Sequence, residues 1–359
     1  ARLTSDMDID LPVRDFFANP TIATSARHLR ELLGETITSP LDDDIRALRD
    51  RLPDVHASFF PSDGQSLYGV HYRPRGNSLE RGVVICHSIG HEYARGYRNL
   101  QQLAVQLCSV GFDVLRFDYA NTGNSDGACA ELTAQQMQRN LIDARDYLIE
   151  QSGAKQIAAI GLRLGGTVAA SLPDGSFDHV VLWDPIVDVS EFLRTMDQWH
   201  RRQLTELRRF STIRVASEID QSYGHAMSPE KRQSLASLQI PTNGKNVSVV
   251  VSEQSLTSPD EQSWLASQAN VSHVTDVIRW DAQRYTESAF SSPETMKTIL
   301  GLLQRAQHDG VASTPRQLST PQTKPAQAKP TTSESADSKN AIVFGRYEHL
   351  LGVWQAPTA

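Results

Sequence analysis

KQIAAIGLRLGGTVAA, residues 155–170, is the stretch that decides the architecture. A short apolar run, IAAI, meets a turn of small residues and passes at once into helix-forming residues, which reads as a buried strand feeding a helix. A strand-to-helix elbow of the form G-x-x-x-G usually presents a nucleophile at its centre. Here the centre is Arg163, framed by Gly161, Leu162, Leu164 and Gly165. A guanidinium stays protonated near neutral pH and cannot attack a carbonyl. The question is whether the chain catalyses a reaction or keeps only an enzyme's scaffold.

Working outward, the same alternation repeats. RGVVICHSIG is a buried strand ending in a turn, RNLQQLAVQLCSVG an amphipathic helix, and FDVLRFDYANTGNSDG a strand running into a polar turn. LTAQQMQRNLIDARDYLIEQSG is a long helix, FDHVVLWDPIV a further strand, and NVSVVVSEQ another. Strands alternating with helices predict an α/β fold with a mostly parallel sheet and flanking helices. Ligands in such sheets gather beyond the carboxyl ends of the strands, so the turns at 87–98, 118–127, 161–167 and 184–188 are expected to converge. Before these units, residues 57–74 read as a hairpin about Asp63-Gly64.

The chain divides by composition. Residues 1–56 read as an N-terminal helical segment, 57–310 as the α/β domain, and 189–237, mainly helical, as a small cap. Residues 311–340 lack aromatics and are rich in Pro, Ser, Thr, Gln and Lys, the composition of a flexible linker. Residues 341–359 are an apolar tail. Its stretch IVFGRYEHLLGVWQAP matches FFPSDGQSLYGVHYRP (59–74) at Leu, Gly, Val and Pro, so the tail is either the start of a second similar domain or a chance likeness between hairpins.

The 359 residues carry a formal net charge of −7 with basic residues scattered, which makes nucleic acid a poor partner. Apolar runs are too short for a membrane span. Three cysteines without a CxxC favour a reducing compartment, and a cytoplasmic location is expected. No cofactor is expected. His87, His91 and Glu92 lack the spacing and helical setting of a zinc motif, so no metal is expected.

Over about residues 57–307 the order of strand, HSIG turn, RFDYANTGNSDG turn, GLRLGG elbow and LWDP strand resembles the α/β-hydrolase superfamily. VVICHSIGHEYARGYRNLQQLAVQL, IAAIGLRLGG and VVLWDPIVD look most like its serine aminopeptidase-like branch, particularly the hydrolase-like proteins that accompany exosortase and exopolysaccharide systems. The superfamily elbow is G-x-S-x-G, so the resemblance implies a degenerate nucleophile position and a pseudoenzyme. It implies that Asp118, Gly123 and Ser125 form a supporting turn and that Gly161 and Gly165 shape the elbow. The turn with His87, Ser88, Gly90, His91 and Glu92 matches the superfamily's oxyanion segment. Asp184 is the candidate retained acid, and His273 the late histidine, although it precedes the place where the triad histidine belongs. Arg163 is expected either to contact a ligand together with Leu162, Ser88, Gly90 and Glu92 or to pair internally with Asp118 or Asp184.

Three functions follow. The first is a protein lacking the Ser-His-Asp triad that binds an acyl, glycan or peptide precursor in the former active-site pocket, with a possible second domain beyond the linker. The second is an atypical ester or amide hydrolase, or an acyltransferase, using His87, His91, Asp184 and His273. The third is a structural subunit that docks a protein partner through its cap helices.

Overall fold

The computed structural model describes residues 52–76, 78–127, 131–206 (side chains to 202), 221–222, 225–241, 246–253, 255–256, 258–278, 280 and 292–306. Most of the N-terminal segment expected over 1–56, the linker at 311–340, the tail at 341–359 and Cys129 lie outside the described residues.

The first two strands, β1 (Asp54–Ser62) and β2 (Gln65–Arg73), form an antiparallel hairpin whose corner is Asp63 and Gly64, both at positive φ (48° and 80°). Left-handed conformation at both central residues gives a two-residue hairpin the twist its strands require, which explains the Asp-Gly pair. Next come β3 (Arg81–Cys86), helix α1 (His91–Ser109), β4 (Asp113–Phe117), α2 (Ala134–Ser152), β5 (Gln156–Leu162), α3 (Leu164–Ala170) and β6 (His179–Trp183). Helix α4 (Val189–Glu206), a two-residue ladder β7 (Gln221–Ser222) and β8 (His225–Ala226), and α5 (Pro229–Ala236) occupy the region read as a cap. The sheet resumes with β9 (Val247–Glu253), α6 (Pro259–Ala266), β10 (Val271–Val277) and α7 (Pro293–Arg305).

Eight strands form one sheet in the order β1-β2-β4-β3-β5-β6-β9-β10. β1, β2 and β4 pair antiparallel; every later pairing is parallel. Each residue of β3 and β4 is buried, as strands covered on both faces must be. On one face α1 and α7 bring Leu100, Leu103, Leu107, Met296, Ile299 and Leu303 onto Val83, Ile85 and Ile160. On the other, α2 sets Met137, Leu141 and Leu148 against Val84, Leu115 and Ala159, and this core continues into Phe192 and Met196 of α4. The architecture is the mixed, mostly parallel sheet with flanking helices of an α/β-hydrolase fold.

Register brings the strand ends together. Cys86 pairs with Gly161, Leu162 with Trp183, and Trp183 with Val250, so the chain leaves β3, β5, β6 and β9 at nearly one level. The turns that follow share one end of the sheet, where open α/β sheets place ligands.

Candidate functional site

The elbow at Arg163 is tight. Its backbone has φ 53° and ψ −120°, a sparsely populated region for a side-chain-bearing residue that costs of order 1–3 kcal/mol. The neighbouring glycines make the turn possible. A Cβ on Gly161 would fall 2.3 Å from the Gly166 Cα, and one on Gly165 would fall 2.5 Å from the Cys86 carbonyl oxygen.

The Arg163 side chain is consumed internally. Nε donates to Glu92 Oε1 at 2.9 Å, Nη1 donates to the Asp184 carbonyl oxygen at 3.0 Å, and the guanidinium lies 5.1 Å from the Trp280 ring centre. The two charged side chains are 12% and 1% exposed, so this is a buried ion pair. Glu92 also accepts from Ser88 Oγ at 2.7 Å through its other oxygen. The ion-pair partner is therefore Glu92, from the first turn of α1, and neither the Asp118 nor the Asp184 carboxylate that the sequence suggested.

Asp184, at φ 45° and wholly buried, holds a different set of donors. Its Oδ1 accepts from Ser252 N at 2.8 Å, and its Oδ2 from Ser252 Oγ at 2.5 Å and Trp280 Nε1 at 2.9 Å. The indole of Trp280, from the segment that follows β10, is thus one of the donors that occupy the Asp184 carboxylate. His273 is exposed in the middle of β10, at the edge of the sheet, paired in register with Val251. No Ser-His-Asp triad is evident among the described residues.

His87 is wedged between Tyr93 and Tyr119, with ring centres 4.5 and 5.2 Å away. Its Nδ1 donates to the Ser88 carbonyl oxygen at 2.7 Å, and its Nε2 faces Asp118 Oδ1 at 3.4 Å. Asp118 accepts from the Tyr93 hydroxyl at 2.9 Å and Asn124 N at 2.9 Å, while its carbonyl accepts from Ser125 Oγ at 2.7 Å. Burial alone would push the Asp118 carboxyl up, but His87, Asn124 and Tyr93 together hold it below the usual carboxylate value. Gly123 sits at φ 54° with no room for a Cβ beside the Asp118 carboxylate, which explains the glycine. Cys86 lies wholly buried beneath this turn, and burial pushes its thiol well up, so it is no thiolate nucleophile.

A cavity of about 310 Å³ opens beside these turns. His87, Ser88, Ile89 and Gly90 form one wall and Asn121 to Gly123 a second; Met196 of α4, His225 of β8, Met227 of the turn after β8 and Lys231 of α5 close it. Ser88 and Gly90 thus line the cavity. Leu162 is wholly buried, and His91 is nearly so, its imidazole held below the usual histidine value by burial. Met196, His225 and Lys231 could not be found by reading: they come from separate elements, and only tertiary packing turns them inward. Among the described residues no group of three or more His, Cys, Asp and Glu is placed to hold a metal ion, and no helix is long and apolar enough to cross a membrane.

No family model and no curated protein matches the chain. Solved structures do. The α/β hydrolase GrgF from a Penicillium species is 17% identical, with a TM-score of 0.51 over 71% of this chain and 99% of its own. A Pyrococcus furiosus esterase is 14% identical, with a TM-score of 0.49 over 72% of this chain and 93% of its own. At such identity the first likeness speaks for architecture alone. The chain is built on the α/β-hydrolase fold, with a buried arginine at the head of its elbow.

Proposed function

We propose that this chain binds a small ligand, an acyl, glycan or peptide precursor, in the cavity at the strand ends and performs no acyl-enzyme chemistry at its elbow. The observation that carries this reading is the Arg163–Glu92 pair, 2.9 Å long and withdrawn from water. An elbow residue that attacks must be free and must have a base within hydrogen-bond reach. Arg163 fails the first, and because its guanidinium stays protonated the Glu92 carboxylate beside it is a counter-ion with no nucleophile to activate. Asp184, which would orient a histidine in a triad, binds Ser252 and Trp280 instead.

The finer reading rests on sequence. GLRLG and LWDPIVD support a place in the serine aminopeptidase-like branch, beside the hydrolase-like proteins of exosortase and exopolysaccharide systems. In this reading the protein is cytoplasmic, α4 and α5 act as its cap, and His87, Ser88 and Gly90 serve as ligand-facing residues.

The test uses the full chain with p-nitrophenyl acetate, p-nitrophenyl octanoate and a fluorophosphonate probe. The expected result is ester cleavage no faster than in buffer and no covalent labelling, alongside measurable binding of a non-reactive ligand. Saturable turnover that is abolished in His87→Ala or Asp184→Asn would overturn the proposal and favour an atypical hydrolase or acyltransferase.

A further inference from the structure

The opposite end of the sheet holds a second opening. A groove of about 720 Å³, within the usual range of ligand sites, runs past the amino ends of β3, β5, β6, β9 and β10 and the last turn of α7. Register puts these strand starts side by side: Arg81 pairs with Gln156 across β3 and β5, and β6 enters the sheet at His179 opposite Ala158.

Arg81 is the unusual member of the lining. It is 7% exposed, and its guanidinium lies 5.1 Å from the Phe112 ring centre. Nη1 donates to the Leu303 carbonyl oxygen at 3.0 Å, so the carboxyl end of α7 takes one of the N–H groups. No described carboxylate stands within ion-pair distance of it. Asp178, the acid whose charge reaches Arg81, is exposed and accepts from Ile157 N at 2.7 Å. A guanidinium this far from water is ordinarily matched by an anion. The helix end and the aromatic ring offset part of its cost, but neither is a counter-ion.

The surroundings of Arg81 are polar and uncommitted. His179 Nε2 has no hydrogen-bond partner, and burial, then Arg81, holds the imidazole below the usual histidine value. The Ser248 and Ser272 hydroxyls and the Gln156 amide make no hydrogen bond among the described residues. Arg305, exposed on the last turn of α7, adds a second cation, so the described lining carries two guanidinium groups against the one carboxylate of Asp178.

Independently of the cavity at the carboxyl ends of the strands, we propose that this groove binds a small hydroxylated oxyanion, of the sugar-phosphate or sugar-acid class. Its phosphate or carboxylate takes the remaining N–H groups of Arg81 and the neighbouring imidazole, and its hydroxyls meet Gln156, Ser248 and Ser272. Both head groups fit the fork of a guanidinium, and the hydrogen-bonding lining selects a hydroxylated body over an apolar one.

The experiment follows the imidazole signals of histidine-labelled full chain at constant ionic strength, with His179 assigned through His179→Gln. The probes are glucose 6-phosphate, glucuronate, glucose and inorganic phosphate. Glucose 6-phosphate or glucuronate is expected to shift His179 saturably, with a Kd at least about tenfold below that of glucose. The bound anion should also raise the pKa of His179, since a neighbouring negative charge favours the imidazolium. The tighter of the two anions identifies the head group. Arg81→Met should abolish the preference over glucose; should that variant misfold, the comparison on the unmodified chain decides alone. Inorganic phosphate binding as tightly as glucose 6-phosphate overturns the hydroxylated part of the assignment. Glucose binding as tightly as both anions, silence at His179, or a response seen only at His225 overturns the site, and none of these results touches the function proposed for the cavity.

Discussion

Arg163 and Glu92 define each other. With one partner removed, the other is a buried charge without its counter-ion, at a cost of about 3–5 kcal/mol. Arg163→Met and Glu92→Gln are each expected to destabilise the chain by about that amount in urea unfolding, whereas the double variant should recover most of the loss; additive losses would disprove the coupling. Arg163→Ser makes a sharper test of function. It restores G-x-S-x-G in the sequence yet supplies no histidine, so p-nitrophenyl ester turnover should stay at the buffer rate. The sequence made the missing serine plain but not the partner, because Glu92 is 71 residues away and reaches the elbow only through the packing of α1. His273 invited attention as the late histidine, and only the parallel pairing of β10 puts it at the sheet edge.

The elements were more legible than the site. Buried strands, the Asp-Gly hairpin and the elbow are local patterns of two to seven residues, set by burial and turn sterics, and such patterns survive being read without coordinates. The packing of α4 and α5 against the strand ends is not local, and no periodicity in SPEKRQSLASL announces that Lys231 faces inward. The glycines differ in kind, which two substitutions should reveal. Gly165→Ala would drive a Cβ to 2.5–2.6 Å from two backbone carbonyl oxygens, those of Cys86 and His87, and should cost about 3 kcal/mol or more, a Tm loss of about 6–12 °C. Gly153→Ala, at φ 68° with open space around the new methyl, should cost only about 1 kcal/mol. Comparable thermal shifts for the two would contradict this account of the elbow.

At the scale of the whole molecule, burial controls titration. His91, His179 and His225 all lie below the ordinary histidine value of 6.5, chiefly through desolvation. The unfolded chain takes up protons that the folded chain refuses, so these groups favour the native state fully above about pH 6.5 and progressively less as pH falls below it. Asp118, held below 3.8, withdraws its own contribution further down the acid limb. The urea midpoint is therefore expected to be lower at pH 5.5 than at pH 7.5, and an unchanged midpoint would argue against buried neutral imidazoles. Thiol reactivity reports the same burial. Cys86 is pushed well above, and Cys108 up to about 12, so at pH 8 both should react with a disulfide reagent at least about a thousandfold faster after denaturation than before.

The reciprocal embrace of guanidinium and carboxylate above β5 has an evolutionary consequence. A lineage that carries it strands a charge in a dry interior whenever either position changes alone, so the two positions are expected to change together.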